Sequence, residues 1–126
     1  MNVGAIPILM YHHVGSKPGL VTLSPDTFIE QMTWLARAGL KTVTAAELEG
    51  FYRGEPLPRK SVMITFDDGY LDNWVCAFPV LKRLGLHAHI FLITSQLATD
   101  PFANWRRLHS LTKRVRKKSP PAMPTM

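Results

Sequence analysis

Short apolar runs alternate with amphipathic stretches along this chain, in the rhythm of strand followed by helix. Ile6 to Tyr11 reads as a buried strand. Ser24 then caps a helix with Pro25 at its first position, and Phe28, Met32 and Leu35 recur at helical spacing to form an inward stripe. Gly39 ends it. Lys41 to Val43 is a short strand, and Thr44 with Glu47 is a capping box for a second helix that turns Leu48 and Phe51 inward and stops at Gly54. The loop Glu55-Pro56-Leu57-Pro58 leads to a central strand, Val62 to Phe66. A helix from about Asp72 to Leu84 follows, closed by Gly85, then a strand from Ala88 to Ile93 and a last, weakly signalled helix from Trp105 to about Lys113. About four such units in succession predict an α/β fold with a mostly parallel sheet, or part of a barrel.

The most informative stretch is Ser61-Val62-Met63-Ile64-Thr65-Phe66-Asp67-Asp68-Gly69-Tyr70. An apolar strand runs without a break into two carboxylates and a glycine. Both acids then lie at the strand's C-terminal tip, the rim where α/β folds bind ligands. Successive strand residues face opposite ways, so one acid can hold a metal while the other handles a proton. The plainer alternative is that Asp67 and Asp68 cap the following helix.

Thr65-Phe66-Asp67-Asp68-Gly69 resembles, without substitution, the first signature of the polysaccharide deacetylase family, the NodB-homology domain. Pro7-Ile8-Leu9-Met10-Tyr11-His12-His13-Val14 is similar to the first barrel strand of that family's exported branch, which includes deacetylases of poly-N-acetylglucosamine. Leu23 to Phe28 with Gln31, Met32, Trp34 and Leu35 resembles its first helix. The likeness runs in order over roughly residues 6 to 108. It implies an irregular (β/α) barrel of which this chain supplies about half, truncated before the metal-binding histidines. Residues 1–108 would be the N-terminal half of the domain and 109–126 a tail.

The implied chemistry is metal-dependent hydrolysis of N-acetyl groups, linear amide C–N bonds, on an N-acetylated polysaccharide. A divalent metal of the zinc, cobalt or nickel type polarises the carbonyl and acidifies bound water, and a carboxylate takes the proton. Carried over by the motif, Asp67 is that catalytic base and Asp68 a metal ligand. Gly69 allows the tight turn behind them, and Tyr70 and His13 are neighbours of the site. The family completes its metal site with a later His-Ser/Thr-x-x-His motif, absent from these 126 residues. The nearest approach, His109-Ser110-Leu111-Thr112-Lys113, carries a lysine where the second imidazole belongs, and a protonated lysine cannot bind a cation. The expectation is therefore a deacetylase-like chain inactive by itself. The alternative is a non-catalytic relic that binds carbohydrate or a partner.

Other residues carry weaker chemistry. His87 and His89 alternate and so share a strand face, a candidate chelating pair, but His-x-His alone is a weak metal signal. Trp34 and Trp74 fall in expected helices and read as packing residues. Cys76, the single cysteine, reads as a small core residue and excludes an internal disulfide.

Charge changes the picture only at one end. The net charge of +6 is concentrated in residues 106–126, which hold seven of the fifteen Lys and Arg and no acid. The remainder is nearly neutral. Lys113 to Lys118 followed by Ser119-Pro120-Pro121 has too little apolar content to fold alone, so a disordered basic tail is expected. Nucleic-acid binding through that tail is the lesser alternative, unsupported by interleaved aromatics or a binding motif. No apolar run has the length of a membrane span. No signal peptide is visible at the start, whereas the resemblance implies the cell envelope or the extracellular space.

Overall fold

A computed structural model describes residues 5–97. Residues up to Ile93 form one compact unit. The expected helix at 105–113 and the boundary at 108 lie outside the described residues.

The elements of this unit are β1 (Ile8–Tyr11), β2 (His13–Val14), β3 (Thr22–Leu23), α1 (Pro25–Arg37), β4 (Lys41–Thr42), α2 (Ala45–Tyr52), β5 (Ser61–Asp68), a π-helical turn (Asn73–Ala77), α3 (Phe78–Leu84) and β6 (His89–Leu92). After it, Thr94–Gln96 form a 3-10 turn. The architecture is α/β with parallel pairing throughout. β5 is the hub of a four-stranded sheet. β1 pairs with it along Met63 to Phe66, β4 along Ser61 and Val62, and β6 along Thr65 to Asp68. β2 and β3 form a separate two-stranded ribbon.

Local chemistry accounts for most boundaries. The Ser24 hydroxyl accepts from the Thr27 amide at 3.2 Å at the start of α1. In α2, Glu47 accepts from the Thr44 amide at 2.8 Å while the Thr44 hydroxyl accepts from the Glu47 amide at 3.2 Å. Two orphan amides are thereby satisfied at once. Gly85 closes α3 in the left-handed conformation, where a Cβ is disfavoured. Each residue from Ser61 to Phe66 is buried, as expected of a strand covered on both faces.

Three expectations need correction. The helix foreseen from Asp72 to Leu84 opens with a π-turn, in which the Phe78 amide reaches back to Asn73. Pro79 has no amide to donate to Val75, so the regular ladder cannot run through this point. In α2, Gly50 is the buried residue, while Leu48 and Phe51 are only half-buried. Trp34 and Trp74 are exposed rather than packed inside. Trp34 sits about 100° round the helix from Leu35, and Trp74 instead stacks on Phe78 with ring centres 4.7 Å apart.

The core lies between the sheet and α1 and α3. Phe28, Met32 and Leu35 of α1 meet Ile64 and Phe66 of β5 and Val80 and Leu81 of α3. The ring centres of Tyr11, Phe28 and Phe66 lie 5.3 to 5.9 Å apart in mixed edge and stacked contacts. Cys76 packs against this cluster, as read from the sequence. The register sets Leu9 beside Ile64 and Tyr11 beside Phe66 on the helix side, and Ile8 beside Met63 and Met10 beside Thr65 on the other. Asp67 continues the Met63–Thr65 alternation and so falls on the face away from the helices.

Candidate active site

The rim at the C-terminal end of β5 is built from three short segments: His12 and His13 at the β1–β2 junction, Asp67 to Tyr70 at the end of β5, and Asp72 and Asn73 at the π-turn. Parallel pairing ends with Tyr11 opposite Phe66, so the next residue of each strand, His12 and Asp67, emerge together. His12 Nε2 lies 3.6 Å from Asp67 Oδ2, with both side chains about a quarter to a third exposed. That separation exceeds a formed hydrogen bond but sets the imidazole against the carboxylate.

Asp68 breaks the alternation expected of a strand. Its φ is +75° and that of Gly69 is +69°, so two consecutive residues are left-handed. Gly69 adopts this without cost, and aspartate is among the few other residues that tolerate it. The chain therefore turns sharply, and the two carboxylates part company through backbone geometry as well as strand periodicity. A Cβ on Gly69 would come within 2.5 Å of Leu92 Cδ2, the far end of an exposed side chain that can move aside, so the left-handed backbone is the main reason for glycine here.

Behind the acids the rim is cross-tied. His13 Nδ1 donates to Asp72 Oδ2 at 2.6 Å, and the His13 ring stacks on Tyr70 with centres 3.6 Å apart. The Tyr70 hydroxyl lies within the electrostatic reach of Asp68 and Asp72. Asn73, buried in the π-turn, donates to the His12 carbonyl at 2.7 Å and to Asp72 Oδ1 at 3.0 Å. Desolvation first, and then the interaction with Asp68 and the charges of Asp68 and Asp72, raise the Tyr70 pKa.

All five residues singled out from the sequence, Asp67, Asp68, Gly69, Tyr70 and His13, come to this rim. His13 itself sits on Asp72 and Tyr70, and the ring facing Asp67 is that of His12. Sequence reading passed over Asp72 and Asn73, although the run Asp68-Gly69-Tyr70-Leu71-Asp72-Asn73 was available as a polar turn. His87 and His89 do not converge here: His89 Nε2 donates to the Val43 carbonyl at 2.8 Å, and His87 is exposed before β6 begins. His109 lies outside the described residues.

A profile of the polysaccharide deacetylase family matches residues 54–118, slightly more than half of the chain and including the whole of β5 and its acidic tip. The chain belongs to the polysaccharide deacetylase family. YxkH of Bacillus subtilis (strain 168), whose name places it in the same family, is 43% identical over 89 residues, 70% of this chain and 32% of its own length. The poly-beta-1,6-N-acetyl-D-glucosamine N-deacetylase of Staphylococcus epidermidis is 32% identical over 83 residues, 66% of this chain and 29% of its own. Among solved structures, IcaB from Ammonifex degensii aligns with a TM-score of 0.67 and 33% identity over 77% of this chain and 42% of that one. The Streptococcus pyogenes deacetylase PplD, in complex with acetate, shares the fold at a TM-score of 0.65 over 83% of this chain and 52% of that one, at 24% identity. The chain thus spans about a third of the length of these curated relatives.

A catalytic divalent ion ordinarily takes three protein ligands. Among the described residues, no group of three or more His, Cys, Asp or Glu side chains is placed to hold one. The rim by itself does not fit a complete metal site. Among the same residues no helix is long and apolar enough to cross a membrane.

Proposed function

We propose that this chain supplies the catalytic base and one metal ligand of a domain that removes acetyl groups from an N-acetylated glycan. The observation that carries the reading is the divergent pair Asp67 and Asp68 at the tip of β5, with His12 set against Asp67. Asp67, on the sheet face away from the helices, is the base that takes a proton from water. Asp68, swung aside by its left-handed backbone, offers one carboxylate to a divalent ion of the zinc, cobalt or nickel type. When bound, such an ion polarises the amide carbonyl and acidifies water. The remaining ligands are not among the described residues, and the sequence holds no His-Ser/Thr-x-x-His motif to add them; on this reading the 126 residues alone do not turn over substrate.

The parallel hub around β5 supports an irregular (β/α) barrel in which Met63, Thr65 and Asp67 face inward. On this reading residues 1–108 are the N-terminal half of that domain and 109–126 a basic, Pro-rich tail. The poly-N-acetylglucosamine deacetylases among the relatives favour an amino-sugar polymer of that type as substrate, with the cell envelope or extracellular space as the place of work. A non-catalytic, partner-binding role is the second reading, favoured by the exposed apolar residues of β6.

Two measurements separate these readings. Acetate release from N-acetylglucosamine oligomers, beside calorimetric titration with zinc, cobalt and nickel, should give neither turnover nor tight binding with the 126-residue chain. In a domain of the relatives' full length, Asp67→Asn should abolish turnover, by about a hundredfold to ten-thousandfold, while sparing metal affinity. Asp68→Asn should weaken the metal first. Equal metal loss in both variants would overturn the assignment of roles.

A further inference from the structure

We infer that Asn73 is a positioning residue that holds His12 against Asp67 by gripping the His12 carbonyl; this rests on the reading of Asp67 as the base. The path consists of direct contacts. Asn73 Nδ2 donates to the His12 carbonyl at 2.7 Å and to Asp72 Oδ1 at 3.0 Å. On the other side of the same residue, His12 Nε2 stands 3.6 Å from Asp67 Oδ2. Catalytic hydrogen bonds are often long before substrate arrives. A ring held at this distance needs only a small movement to steady the carboxylate as it takes a proton.

The need for a clamp lies in the topology. His12 is the single residue between β1 and β2 and belongs to neither strand. Pairing of β1 with β5 ends at Tyr11 and Phe66, and the bond from the His13 amide to the Val21 carbonyl already belongs to the second ribbon. The peptide joining His12 to His13 therefore passes from one sheet to the other, and its orientation sets how the His12 ring stands at the rim. Asn73, 61 positions later in the chain, is the side chain that fastens it.

The chemistry of the amide makes this role specific. A carbonyl and a carboxylate only accept, so only the NH2 end of Asn73 can face both. Turning the amide over would set oxygen against oxygen. Its own oxygen contributes nothing: Asn73 Oδ1 is buried and has no hydrogen-bond partner among the described residues. An unpaired buried acceptor is costly, so the value of this side chain lies in its two hydrogens. Its anchorage is firm. Asn73 is 4% exposed at the first position of the π-turn, and its backbone amide donates to the Tyr70 carbonyl at 3.0 Å.

The test is NMR on the 126-residue chain at one fixed pH, reading how far the His12 ring nitrogen resonances move on Asp67→Asn. They should move in the otherwise unmodified chain. The movement should be lost when Asn73→Ala is also present, with amide exchange at Ile64 and Phe66 unchanged. Asp72→Asn, which keeps an oxygen for Asn73 but removes the charge, should preserve it. Because Asn73→Ala empties a buried position, the unmodified chain supplies a second reading. There the Asn73 side-chain NH2 protons should exchange about tenfold or more slowly than those of exposed Gln31. No movement at all, a movement that survives Asn73→Ala or is lost equally in Asp72→Asn, faster exchange at Ile64 and Phe66, or Asn73 protons as labile as those of Gln31 would each overturn the positioning role. The reading of the base fails separately: in a domain of the relatives' full length, Asp67→Asn with unaltered turnover would remove it while these NMR results stood.

Discussion

β1 and β6 both pair in parallel with β5, yet they meet opposite fates. On the β1 side Tyr11 is locked among Phe28 and Phe66, and its hydroxyl donates to Gln31 at 2.7 Å. The histidines that follow are tied to Asp72, Asn73 and Tyr70. On the β6 side Ile90, Phe91 and Leu92 are each more than half exposed. A parallel strand is stable in the interior when both faces are covered; among the described residues that condition holds for β5, fails for β1 only on the face of Ile8 and Met10, and fails for β6 on both. One flank of the acidic tip is thus cross-tied through Tyr11, His12 and His13 on the helix side, although Ile8 and Met10 on its other face are exposed, while the other flank is an apolar edge on both faces.

The sharpest way to break this comparison is truncation on each flank. Phe66→Ala removes a ring that is 1% exposed and shared by Tyr11 and Phe28, and should cost about 3–5 kcal/mol in urea denaturation. Phe91→Ala, at a side chain 58% exposed, should cost about 1 kcal/mol or less by the same measurement. Similar losses at both positions would mean that β6 is buried in solution.

Gly69→Ala probes the point where the acidic turn meets β6. The left-handed φ of +69° and the approach to Leu92 should together cost about 1–2 kcal/mol. Combining it with Leu92→Ala should relieve the steric share and leave the backbone share. Full recovery in the double variant would show that the conformation at Gly69 carries no strain.

Away from the site, Thr44→Ala dissolves the capping box of α2 and should cost about 1 kcal/mol, seen as a lowered urea midpoint.

The smallest effect concerns pH. Burial raises the Tyr11 pKa above its ordinary 10.0, so the folded chain keeps a proton that the unfolded chain releases. Below that value the phenol is neutral in both states and stability is unaffected; as pH rises past it, unfolding gains and stability falls. Tyr11→Phe should flatten the decline in urea midpoint between pH 9 and pH 11. An unchanged slope would assign the alkaline loss elsewhere.

Much of this molecule was readable one segment at a time, because the forces involved act over a few residues. Ser24 with Pro25, Thr44 with Glu47 and Gly85 mark helix ends through bonds to neighbours three or four positions away. The unbroken apolar run before Asp67 marks a strand covered on both faces, and its acidic tip announces the chemistry. What local pattern does not carry is which distant groups share a surface. Pairing of Tyr11 with Phe66 brings His12, and not His13, to Asp67, and the turn after Gly69 brings Asp72 to a histidine 59 positions earlier. Trp34 and Trp74 obey helical spacing and yet face solvent, one lying off the inward stripe and the other displaced by the π-turn that Pro79 imposes. Strand register and the left-handed step at Asp68 are set by the packing of whole faces. For that reason the carboxylates were legible from their order in the chain, while the partners that hold them in place emerged only in three dimensions.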